Sequence, residues 1–132
     1  MTDAGAVFAV LAESHPVRRA AFDHNFEELI AAMTYDGTDF LVAEDGGTVI
    51  GYAVAARVLS LSANGPVSRL LELVVAAAHR KQGVGGRLVD AIVARARRSG
   101  AVEVAVAASG ARAYFERRGF VARATYLTLP LI

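Results

Sequence analysis

The stretch Arg80–Leu88 constrains this chain more than any other part of it. An apolar run precedes it, Leu70–Val75, interrupted only by Glu72, and Leu88–Arg98 follows with apolar residues at helical spacing. The order is therefore strand, glycine turn, helix. Gly83, Gly85 and Gly86 let the backbone take positive φ and let a ligand come close to the main chain. A helix that begins there leaves its first amide N–H groups without internal partners. Those amides, together with the helix dipole, favour a phosphate or diphosphate group. Arg80, Lys81 and Arg87 add positive charge at the same place.

Three phosphate-binding patterns can be compared with this loop. A Walker loop needs Gly-x-x-x-x-Gly-Lys-Ser/Thr, which does not occur here. The dinucleotide pattern Gly-x-Gly-x-x-Gly starts at Gly83-Val84-Gly85 but meets Leu88 where its last glycine belongs. The third pattern, Arg/Gln-x-x-Gly-x-Gly/Ala, is met in full by Arg80-Lys81-Gln82-Gly83-Val84-Gly85. Downstream, Ala111 and Tyr114-Phe115-Glu116-Arg117-Arg118-Gly119-Phe120 follow a second pattern, Ala-x-x-x-Tyr-Glu-x-x-Gly-Phe. On these two signatures the sequence resembles the GNAT superfamily of acetyl-CoA-dependent N-acyltransferases, most clearly from about Phe40 to Phe120.

The resemblance implies an α/β (α+β) fold with a mixed central sheet flanked by helices. Its two central strands splay into a V, and the pantetheine arm of the cofactor lies between them. It implies acetyl-CoA as acyl donor and cofactor-binding roles for Leu73, Val74, Val75, Arg80, Lys81, Gln82, Gly83, Val84, Gly85, Gly86 and Arg87, with Phe115 at the second signature.

Composition narrows the class. At 132 residues the expectation is one domain, residues 1–132, with one substantial core. No apolar run reaches the length of about 18 residues that a membrane span needs, and no secretory signal is visible. The chain has no cysteine, which excludes a disulfide framework, a thiol nucleophile and zinc-thiolate chemistry and fits a cytoplasmic setting. Lysine and arginine number 14 against 13 acidic residues, which argues against a whole-surface nucleic-acid binder.

Along the chain, Thr2 or Asp3 caps a first helix with Val7, Val10 and Leu11 on one face. A second helix is expected over Pro16–Met33, its stripe formed by Phe22, Phe26, Leu29, Ile30 and Met33. The strand that usually opens the family fold is not visible. Phe40–Ala43 and Thr48–Val58 read as strands about the turn Asp45-Gly46-Gly47, with Gly51 marking a bulge or a close approach. Ser60–Pro66 reads as a polar loop and substrate-side lid, Arg69–Val75 as the central strand, and Gly100 as the C-cap of the helix that follows the glycine loop. Val102–Ala107, a helix over Ala111–Arg118 and a last strand over Phe120–Leu129 complete the reading.

Acetylating an amine from a thioester requires three things. The amine must lose a proton, the oxyanion must be stabilised, and the leaving thiolate must be protonated. Glu72 is the candidate base; the alternative is a strand glutamate paired with Arg69 or Arg57. Relatives place a tyrosine at the position of Phe115 to protonate the thiolate, and phenylalanine cannot. Tyr114 is adjacent but turned by about 100° and so is expected to point elsewhere. Tyr126 on the last strand is the remaining candidate donor, although core or sheet surface is the plainer place for it. Ala108 stands where many relatives carry a cofactor-contacting asparagine. His79 reads as an exposed loop residue, and His15 and His24 show no metal-ligand spacing, so no metal site is expected. The arginines at 95, 97, 98, 112, 117 and 118 read as a solvated basic face.

The expected function is an N-acetyltransferase acting on a primary amine of a small molecule, peptide or protein. The alternative is a non-catalytic acyl-CoA-binding module, and a nucleic-acid-binding domain stands third. A homodimer is expected, because the missing edge strand exposes a sheet edge.

Overall fold

The computed structural model describes residues 3–108 and 110–132. Its elements run α1 (Ala4–Ala12), α2 (Arg19–Tyr35), β1 (Asp39–Asp45), β2 (Thr48–Ser60), β3 (Gly65–Val75), a 3-10 turn (Ala77–His79), α3 (Val84–Arg98), β4 (Glu103–Val106) and α4 (Arg112–Arg117). The sheet order is β1-β2-β3-β4, antiparallel except for the parallel pair β3–β4. This is the expected mixed sheet flanked by helices, and among the described residues no strand precedes α1.

Each local signal has a physical counterpart. Asp3 caps α1 by accepting from the Gly5 N–H at 2.9 Å; the other candidate cap, Thr2, lies outside the described residues. Helix α2 begins at Arg19, three residues later than expected from Pro16. The intervening Val17 bonds back from its N–H to the His15 carbonyl at 2.9 Å and packs against the core, and Arg18 is extended before the helix starts. Gly46 and Gly47 both take positive φ and close a two-residue hairpin between β1 and β2. At Gly51 the pairing with β1 shifts register, and a Cβ there would sit 3.0 Å from the Val74 carbonyl oxygen. Gly51 thus marks a close approach, next to a bulge whose extra residue is Ile50.

The sheet carries a core on each face. Helices α1 and α2 cover one, where Val7, Leu11, Phe22 and Phe40 pack with Tyr52, Val54 and Val74. Helices α3 and α4 cover the other, where Leu88, Val89, Ile92 and Phe115 pack with Ala53, Ala55 and Leu70. Alternation along β3 sends Glu72 toward the first face and Leu73 toward the second.

Two expected elements are corrected. Ser60–Pro66 is no lid. The strands β2 and β3 extend to Ser60 and from Gly65, leaving only a tight turn over 61–64 in which Asn64 takes a φ of 65°. None of these residues lines the large cleft. The last strand, Phe120–Leu129, does not form. Gly119 ends α4, Phe120 folds back onto Phe115, and residues 121–132 continue exposed and unpaired with the sheet. Alternation there is weak, since Arg123 and Thr125 share a face with Val121, Leu127 and Leu129, and none of residues 121–132 joins either core.

Candidate active site

Strands β3 and β4 pair only from Val67↔Glu103 to Leu70↔Val106. Beyond Leu70, β3 runs on to Val75 while the chain after Val106 turns away, so the two strands part into a V. At the parting point Leu71 is the extra residue of a bulge, because Val54 pairs with Glu72 and Ala55 with Leu70. It is an apolar side chain left 56% exposed. The V opens into a cleft of about 1230 Å³ that reaches from the start of α3 to the α1–α2 layer.

One end of the cleft is the glycine loop. Gly83, with a φ of 85°, is the N-cap of α3 and supplies no side-chain cap. The first helical bond is from the Arg87 N–H to the Gly83 carbonyl, at 3.1 Å. The amides of Val84, Gly85 and Gly86 are therefore left for another acceptor. A Cβ on Gly85 would point into the space between the Tyr114 hydroxyl, Val75 and Leu73, with distances of 3.7, 3.8 and 4.0 Å, so glycine keeps that space open. Arg80 donates from Nε to the Val75 carbonyl at 3.1 Å. Lys81 also lines the cleft and holds a φ of 63°, a strained value for lysine.

Of the residues singled out in the sequence, Glu72, Leu73, Val74, Val75, Arg80, Lys81, Gly83, Val84, Gly85, Gly86 and Phe115 line this one cleft. Gln82 and Arg87 lie exposed beside it, Gln82 bonded to the Ala78 carbonyl. Tyr126 is not brought to the site. It is 68% exposed in the segment that forms no strand, and it does not line the cleft.

Glu72 accepts a 2.7 Å hydrogen bond from the Tyr52 hydroxyl. Among the described residues it forms no ion pair, so neither Arg69 nor Arg57 claims it. Tyr52 is 2% exposed, and burial, followed by the Glu72 carboxylate beside it, pushes its phenol well above the ordinary tyrosine range. It therefore remains a donor to Glu72 at any working pH.

Both aromatic residues of the second signature border the cleft, but they meet it differently. The Gly119 N–H bonds to the Glu116 carbonyl and the Phe120 N–H to the Phe115 carbonyl, which is a Schellman closure of α4. Its hydrophobic clasp is Phe115 against Phe120, with ring centroids 5.2 Å apart. That clasp draws Phe115 into the core, where it is 6% exposed. Tyr114 is left facing the cleft, contrary to expectation. Its hydroxyl is buried without a hydrogen-bond partner and stands beside Gly85 and Gly86. Arg118 lies over the Tyr114 ring, bonds to the Gly86 carbonyl at 3.1 Å and pairs with Asp90.

Sequence reasoning missed Tyr52, Tyr114 and Arg118. Tyr52 was legible in principle, because it sits on the same face of the hairpin as Glu72. The arginines at 95, 97, 98, 112, 117 and 118 are all exposed, as expected, but Arg118 is also tied down by Asp90 and the Gly86 carbonyl. The arginines at 95 and 112 are likewise tied to carboxylates, Asp39 and Glu116. His24 pairs with Glu28 on the surface, and His79 approaches Asp45 at 3.7 Å.

A V-shaped opening between parallel strands, ending on a glycine-capped helix, defines a class of acyl-transfer fold. Residues 6–120 match the Acetyltransferase (GNAT) family, and the chain belongs to it. No curated protein sequence matches the chain. Among solved structures, glucosamine-6-phosphate N-acetyltransferase from Arabidopsis thaliana superposes with a TM-score of 0.82 at 16% identity, covering 99% of this chain and 95% of that one. Ribosomal-protein-alanine N-acetyltransferase from Brucella melitensis biovar Abortus 2308 gives 0.77 at 17% identity, covering 98% and 94%. AAC(6')-Iy, in complex with the bisubstrate analogue CoA-S-monomethyl-acetylneamine, gives 0.73 at 20% identity, covering 89% and 82%. These likenesses describe the fold.

Proposed function

We propose that this chain transfers an acetyl group from acetyl-CoA directly to a primary amine. The observation that carries this reading is the set of unpartnered amides at Val84–Gly86 opening onto the gap between β3 and β4. A diphosphate fits those amides with Arg80 and Lys81 beside it. An extended amide-bearing arm fits the β3 edge at Leu73–Val75, where no strand competes for the backbone groups. The open space at Gly85 and the unsatisfied Tyr114 hydroxyl suit the same ligand.

When bound, acetyl-CoA supplies the thioester carbon: a carbon–nitrogen bond forms to the amine, the carbon–sulfur bond breaks, and the sulfur takes up a proton. Glu72 receives the amine's proton at a carboxylate oxygen, directly or through water, while Tyr52 holds Oε1 in place. For the proton that the sulfur takes up we propose Tyr114 Oη, which borders the cleft beside Gly85 and Gly86; Phe115 has no proton to give, and Tyr126 does not line the cleft. Gln82 and Arg87 act from the rim of the loop. The cysteine-free chain suits a reducing, cytoplasmic setting. Among the described residues no helix is long and apolar enough to cross a membrane.

Calorimetry with acetyl-CoA, followed by a thiol-release assay over a panel of amines, tests the reading. Binding together with amine-dependent release is expected. Binding without release for every amine would instead make the chain an acyl-CoA-binding module, and absence of binding would remove both.

Two copies of the chain are also inferred to pair. The support is the exposed apolar run Tyr126, Leu127, Leu129, Leu131 and Ile132, together with the open edge of β4. A strand contributed by each copy to the other's β4 closes both edges with twofold symmetry.

A further inference from the structure

We infer that the acceptor is a monoamine carried on an apolar body of about the size of an aromatic ring. This rests on the acetyl-transfer reading above and names its acceptor. The cleft does not stop at Glu72. It continues beneath α1 and α2, where Leu11, Phe22, Phe26, Leu29 and Phe40 form its wall. The aromatic rings there are mutually packed: Phe26 lies 5.6 Å from Phe22 and 5.6 Å from Phe40, and Phe40 lies 5.9 Å from Tyr52. Phe26 and Leu29 are only partly buried, so their free surface is what a ligand meets. A wall of interlocked rings is stiff, and it offers dispersion contact but few polar partners.

Charge decides the rest. Among the described residues lining the whole cleft, Glu72 is the one carboxylate. The fixed cations, Arg80, Lys81 and Arg118, all belong to the glycine-loop end. Apart from Tyr114 beside the glycine loop, the other polar side chains lining the cleft are uncharged or histidine: the Tyr52 hydroxyl is taken by Glu72, His79 approaches Asp45, the Ser14 hydroxyl and His15 Nδ1 pair with each other at 2.8 Å, and Asn25 is the last. One ammonium therefore finds a partner. A second ammonium would be placed against phenylalanine, and a phosphate on the acceptor would find no arginine or lysine. An apolar body gains contact instead.

The reaction balances with that partner. The acceptor enters as an ammonium ion and loses one proton to Glu72; as the carbon–nitrogen bond forms and the carbon–sulfur bond breaks, a second proton leaves the nitrogen and ends on the sulfur, and the amide leaves uncharged. The product then no longer matches the carboxylate, which favours its release.

The test uses the purified full chain. Acetyl-CoA binding is first measured by calorimetry, and thiol release is then followed with 2-phenylethylamine, hexylamine, spermidine and glucosamine 6-phosphate. We expect kcat/KM for 2-phenylethylamine to exceed those for spermidine and glucosamine 6-phosphate by about tenfold to hundredfold. Phe26→Ala should raise the KM for 2-phenylethylamine about tenfold and leave the KM for acetyl-CoA unchanged. Phe26→Leu, which retains most of the apolar volume, should show a smaller rise and guards against a folding defect. Equal or faster turnover of spermidine or glucosamine 6-phosphate would overturn the inference, as would acetyl-CoA binding with no turnover of either apolar amine. Loss of acetyl-CoA binding itself would strike the underlying reading instead.

Discussion

Tyr114 and Phe115 differ by one hydroxyl and one helical step, and the closure of α4 decides which of them packs into the core and which brings a hydroxyl to the glycine loop. The Schellman clasp takes the residue three before its cap, so Phe115 goes inward and Tyr114 keeps an unpaired buried hydroxyl. An unsatisfied hydroxyl costs the folded state about 1–3 kcal/mol. Tyr114→Phe should therefore leave urea stability equal or higher while lowering kcat by about a hundredfold, as loss of a general acid does. If kcat is unchanged, water protonates the thiolate. Tyr52 makes the opposite case, because its hydroxyl is satisfied by Glu72. Its phenol holds the proton more tightly in the folded chain than in the unfolded one. That contribution is complete below about pH 10 and is lost as pH rises through the elevated folded value. Urea midpoints measured above about pH 10 should fall more steeply for the parent than for Tyr52→Phe. The sequence marked Glu72 as unusual because an acid in an apolar strand needs a reason. It could not show which phenol meets that carboxylate, since this depends on the register of β2 against β3.

At the scale of elements, legibility followed local chemistry. The strand–glycine–helix unit was readable because a helix start, a positive φ and a phosphate site all depend on neighbouring residues. The β1–β2 turn at Gly46-Gly47 was readable for the same reason. The last strand was misread because alternation reports what a segment could bury, not whether it joins a core. The lid was misread because polar residues at 60–66 look the same in a long loop and in a tight turn with two strand ends. Two glycines test the element-level account. Gly119 caps α4 at a φ of 96° with no atom near its missing Cβ, so Gly119→Ala should cost about 1–2 kcal/mol through backbone strain alone. Gly83→Ala should cost a similar amount, since it too has open space around it. In addition it should raise the KM for acetyl-CoA, because it redirects the amides of α3. Equal KM values for the two variants would separate the cap from cofactor binding.

At the scale of the whole molecule, ligand and assembly should both register as stability. Coenzyme A at about 100 times its Kd should add about 2.7 kcal/mol and raise Tm by on the order of 10 °C. Thermal scans with and without it check this, and the rise should shrink in Gly83→Ala. Light scattering should give a dimer mass for the parent chain and a monomer mass for Leu127→Asp/Leu129→Asp. Both positions lie outside the two cores, so the monomer should keep its fold. A parent that is monomeric across concentrations, or a double variant that stays dimeric, would remove the strand-exchange pairing. The V between β3 and β4 has a further consequence. Glu72 and Tyr114 lie on opposite sides of one strand, the first with the α1–α2 layer and the second with the α3–α4 layer. That strand is a party wall between two tenants. Substitutions in the first helix pair can change what is acetylated while the grip on the donor stays intact, so a lineage built on this plan can diversify its products one room at a time.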